Sequence, residues 1–109
     1  MRTEGLDRLR ALADLRAQKS GQALAQALQG ITELEARADA LRTPLADSSD
    51  IATAIARDRY ANWRATQLRE LNLEIANLRA AAEPLRTTHG RDRARAEVLQ
   101  QLLQDRRLT

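Results

Sequence analysis

Apolar side chains in the first half of the chain return in steps of three and four: Leu24, Ala27, Ile31, Leu34, Ala38, Leu41 and Leu45. That spacing sets one narrow stripe along a helix, of the kind a coiled coil buries against a single partner. Upstream, Leu6, Leu9, Leu12 and Leu15 recur every three residues, which predicts a stripe that drifts around the helix toward its start. Only Gly5, Gly21 and Gly30 weaken helical geometry before Arg42, so a first helix is predicted over about residues 4–42. Residues 43–50 read as a turn. Pro44 ends the helix and biases Thr43 away from the α region, and Ser48, Ser49 and Asp50 offer capping oxygens to a new helix.

A second, longer helix is predicted over about residues 51–107. Leu68, Leu71, Ile75, Leu78, Ala82, Leu85, His89, Asp92, Ala96, Leu99 and Leu103 keep the same rhythm. Ile51 and Ile55 fall one residue out of it, so the stripe shifts around Tyr60 and Trp63. Pro84 removes a hydrogen bond and crowds the preceding turn. The rhythm passes through it unshifted, which predicts a kink near residue 84; a true break between Glu83 and Arg91 is the alternative. A short turn makes the two helices antiparallel neighbours, so the expected fold is all-α, a two-helix coiled-coil hairpin in one domain.

Composition narrows the picture. The 109 residues are 43% hydrophobic and 30% charged, with no phenylalanine, one tyrosine and one tryptophan. Leu, Ala, Glu and Arg in this abundance build long helices with a thin seam rather than a thick core. The net charge is only +3 and acids alternate with bases, which argues against nucleic-acid binding. With no cysteine there is no disulfide or thiolate metal site, in keeping with a reducing compartment. No apolar run is long enough to span a bilayer, so a cytoplasmic protein without direct membrane insertion is expected.

The residues also exclude most chemistry. One histidine, no cysteine and no glycine-rich phosphate loop leave no nucleophile–base pair and no nucleotide cradle, so neither enzymatic activity nor a cofactor or metal is expected. His89 has no second histidine a turn away and reads as a polar seam position that sets register, with Asp92 in reach as a partner. Tyr60 and Trp63 either cap the loop end of the hairpin over Ile55 and Leu41 or form an exposed anchor.

A reversal centred on the turn pairs residue i with roughly residue 93 to 95 minus i, so that Leu6 lies near His89. Residues beyond about 93 then overhang the first helix, yet Val98, Leu99, Leu102, Leu103 and Leu108 are apolar, with Arg106 and Arg107 beside them. An uncovered apolar stripe marks an interaction site.

A long hairpin, a short turn and an overshooting second helix together resemble the FliJ family of the flagellar type III export apparatus. Similar to that family are the opening Leu6-Asp7-Arg8-Leu9-Arg10-Ala11-Leu12-Ala13-Asp14 and the segment Arg59-Tyr60-Ala61-Asn62-Trp63. The Leu/Gln-rich Val98-Leu99-Gln100-Gln101-Leu102-Leu103-Gln104-Asp105-Arg106 is similar as well. The chain is shorter than usual for the family, and Pro84 interrupts a helix that is normally smooth. The resemblance implies a cytoplasmic, non-enzymatic stalk, associated peripherally with the membrane-embedded apparatus of flagellar biogenesis and motility. Its paired helix termini would enter the pore of a hexameric export ATPase, through Val98, Leu99, Leu102, Leu103, Arg106 and Arg107. The cytoplasmic domain of the export-gate membrane protein would take Tyr60, Trp63 and Gln67, and export chaperones are further partners. Two other classes stay open: an export chaperone or adaptor that lays its stripe against a substrate helix, and a structural coiled coil that dimerises through the overhang.

Overall fold

The computed structural model describes residues 2–43 and 50–108. Pro44, Leu45, Ser48 and Ser49, which the spacing assigns to the turn and the stripe, lie outside the described residues. Two helices, α1 (Arg2–Leu41) and α2 (Ile51–Leu108), make an all-α antiparallel hairpin with the longer helix second. Both ends at the turn carry local signals. The Arg42 amide donates to the carbonyls of Ala38 and Asp39, and its guanidinium pairs with Asp39 at 2.6 Å. Asp50 caps α2: its carbonyl accepts from the Ala54 amide at 2.8 Å and its carboxylate from the Thr53 hydroxyl at 3.1 Å. α2 runs unbroken through Pro84 and Gly90, which removes the break between Glu83 and Arg91. Pro84 is exposed while Ala82 and Leu85 beside it stay in the seam, so packing offsets the missing hydrogen bond.

The helices form two compact units, Gln29–Ala80 and Met1–Leu28 with Ala81–Thr109. In the first of these, Ile31, Leu34 and Ala38 of α1 are buried, as is Ile75 of α2, with Leu68, Leu71 and Leu78 half-buried along the same row. Arg79 donates to Glu35 across the pair. In the other unit Ala82 and Leu103 are each 1% exposed. Between them Leu85, His89, Asp92, Ala96 and Leu99 are half-buried, the 3-4 row that the spacing predicts.

The register differs from a reversal centred on the turn. His89 lies not beside Leu6 but against Ser20 and Gly21, and Arg107 reaches Asp7 at 3.7 Å. The displacement is about four helical turns. Residues beyond 93 therefore do not overhang: α2 is paired almost to its end. The extra length lies at the other end of α2. Arg64 donates to the carbonyl of Thr43 at 3.3 Å, so the turns of α2 before it, about 20 Å of helix, extend past α1. The physical reason is periodicity. Residues 68–103 can bury an unbroken row against α1, whereas the stretch containing Ile51 and Ile55 is out of phase and stays exposed.

The drift near the start of α1 is also corrected. Half-buried positions continue strictly as Leu6, Arg10, Ala13, Ala17, Ser20, Leu24 and Ala27, while Leu9, Leu12 and Leu15 are exposed. A step of three residues turns a helix about 60° short of a full revolution, so leucines at that spacing leave the seam one after another.

Candidate docking surfaces

His89 is the most constrained polar residue of the seam. Its Nδ1 lies 3.2 Å from Ser20 Oγ, and the Ser20 hydroxyl donates to the Ala17 carbonyl at 3.3 Å. Both bonds are satisfied together when Nδ1 carries the proton and donates to Ser20. A Cβ at position 21 would sit 2.9 Å from His89 Cε1, so only glycine leaves the ring its place. His89 thus pairs with Ser20 and not with Asp92. Among the described residues no group of three or more His, Cys, Asp or Glu side chains is arranged to hold a metal.

The six C-terminal residues implied by the resemblance divide by the face they occupy. Leu103 is core, and Leu99 lies half-buried in the seam. Val98 and Leu102 are exposed on one flank, at 59% and 45%. Arg107 pairs with Asp7 on the opposite flank, and Arg106 is exposed beside it. Val98 and Leu99 line an open groove of about 580 Å³ with Leu9, Leu12 and Ala13 across from them. Arg16, Asp92 and Arg95 complete its polar boundary. Leu9 and Leu12, absent from the implied set, are the residues that make the groove apolar. The sign was present in their spacing, because Leu9 and Leu12 stand one residue before seam positions Arg10 and Ala13.

Near the start of α2, Tyr60 and Trp63 pack ring to ring, centroids 5.6 Å apart and planes tilted by 37°. Tyr60 is half-buried and Trp63 is 50% exposed. Gln67 is half-buried at the edge of the seam one turn later. The pair sits where α2 extends past α1, and Ile55, over which a cap would pack, is itself exposed. A second hollow, about 460 Å³, lies between Ala38, Asp39, Asn72 and Ile75. Its charges are spent on one another, in the Arg42–Asp39 and Arg79–Glu35 pairs.

No helix among the described residues is long and apolar enough to cross a membrane. No protein-family model matches the chain, and comparisons with curated proteins and with solved structures also find no match.

Proposed function

We propose that the chain is a non-enzymatic docking protein, a FliJ-like stalk of a type III export apparatus that engages a hexameric ATPase and an export-gate membrane protein. The observation that carries this reading is the pairing of the two helix termini. Asp7 and Arg107 pair across them on one flank, and on the opposite flank Leu9, Leu12, Val98 and Leu102 remain exposed. Paired termini with an apolar flank are what insertion into a ring pore requires, because the pore can then cover side chains that the hairpin leaves in water. Each is already about half covered, so burying the remainder contributes roughly 0.7–1.5 kcal/mol apiece, and two together change affinity about tenfold or more. Trp63, on the extended part of α2, supplies a separate contact for the gate.

The register changes how the reading is tested. Truncation after Arg93 would strip α1 of its partner rather than trim a free tail. Substitution of exposed positions is the cleaner probe. Val98→Ser with Leu102→Ser should lower affinity for the purified export ATPase at least tenfold and remove any stimulation of ATP hydrolysis. Absence of binding by the unaltered protein, in a titration that detects micromolar dissociation constants, would overturn the stalk reading.

A further inference from the structure

We infer that the groove of the unit formed by the two helix termini is a docking site for an amphipathic helix whose apolar half is followed by an acidic half. It concerns the same flank that the stalk reading gives to the ring pore, and it names the chemistry of the segment that would cover that flank. Two rows, each one residue ahead of the seam, run along the groove, which their members Leu9, Leu12, Arg16, Arg95 and Val98 line. On α1 the row is Leu9, Leu12, Arg16 and Lys19; on α2 it is Arg91, Arg95, Val98 and Leu102. All eight side chains are exposed. The antiparallel pairing sets Leu9 and Leu12 level with Val98 and Leu102, and Arg16 and Lys19 level with Arg91 and Arg95. The rim is therefore apolar toward the termini and cationic further in.

The charge on this rim is unbalanced. None of the four cations is in an ion pair with a described residue. Among the described residues that line the groove, Asp92 is the one carboxylate. The opposite flank is different, for there the charges are already matched in Asp7–Arg107 and Arg93–Glu97. An occupant of the groove must cover leucine and valine side chains at one end and bring negative charge to the other.

Three occupants fit part of this pattern, and the rim separates them. A second copy laid groove to groove places cations against cations or against leucines. An anionic membrane surface matches the sign of the charge, but a plane cannot reach the floor at Ala13 and Leu99. A single helix fits a concave channel between two helices, completing a three-helix packing with its apolar stripe inward. From Leu9 to Lys19 the rim is about 15 Å long, or roughly three turns of the occupant.

The experiment is a fluorescence-anisotropy titration of the full chain against labelled 18-residue helical peptides. One carries leucines at helical spacing in one half and glutamates in the other; its counterpart has lysine in place of every glutamate. The acidic peptide should bind at least tenfold more tightly than the basic one, with affinity falling as salt rises. Arg16→Glu with Arg95→Glu should reverse the preference, and Leu12→Ser with Val98→Ser should weaken both peptides at least tenfold. Circular dichroism of each variant confirms that the helices persist, as exposure of all four positions predicts. Equal binding of the two peptides would overturn the assignment. So would light scattering that shows a dimer dissolved by Leu12→Ser, or phosphatidylserine vesicles that bind the protein while the acidic peptide does not. No ATPase enters the assay, so its failure and failure of the stalk reading are separate results.

Discussion

Gly21→Ala is the sharpest test of how the helices pair. Replacing a helical glycine by alanine ordinarily stabilises by about 0.8–1 kcal/mol. Gly90 supplies the reference within the same unit, since a Cβ there meets nothing within 4 Å. Gly90→Ala should therefore gain close to the full amount, a rise in Tm of about 4 °C for a chain of this length. At Gly21 the same methyl would approach His89 Cε1 to 2.9 Å and Nδ1 to 3.4 Å. The ring must turn away, which breaks its bond to Ser20, worth about 0.5–1.5 kcal/mol net. A displaced rotamer adds about 0.5–1.5 kcal/mol. The sum cancels the helical gain and leaves Gly21→Ala between neutral and about 2 kcal/mol destabilising. Urea titrations followed by circular dichroism at 222 nm read the difference between the two variants as a shift of midpoint. In a His89→Ala background the steric cost disappears, and Gly21→Ala should again stabilise by about 1 kcal/mol. If Gly21→Ala and Gly90→Ala stabilise equally in the unaltered background, His89 does not face Gly21 and the helices pair in some other register.

Other outcomes follow from the same packing. Far-ultraviolet circular dichroism should report more than about 75% helix, against roughly one-third in ordinary globular domains. Leu103→Ala should cost about 2–5 kcal/mol although the residue is close to the chain end, whereas Leu102→Ala one position earlier should stay within about 0.5 kcal/mol. Pro84→Ala restores a helix hydrogen bond at an exposed site and should stabilise by up to about 3 kcal/mol; destabilisation would mean that the proline shapes the packing around it. Trp63→Ala should leave Tm within a few degrees while weakening a gate-protein contact, and a large loss of stability without a binding change would place Trp63 in the core.

The elements were legible because helical periodicity is a local property. Steps of three and four from Leu24 to Leu41 and from Leu68 to Leu103 name the buried rows, and the start of α2 follows from the capping chemistry of Asp50. The displaced phase of Ile51 and Ile55 was legible as well, but it read as a shift of the stripe, and only the packing shows that both are exposed. Register was not legible. A repeating row permits several alignments that differ by whole turns, and counting from the loop assumes that pairing begins where the helices end. Tertiary packing chose the alignment that keeps α1 against the in-phase part of α2, seats His89 against Gly21 and joins Asp7 to Arg107. That choice moved the length of α2 that extends past α1 from its end to its start. It also turned Leu9, Leu12, Val98 and Leu102 into one exposed flank. A single sequence row cannot show that flank, because its two halves are roughly 90 residues apart in the chain and meet only when a particular turn of one helix lies beside a particular turn of the other.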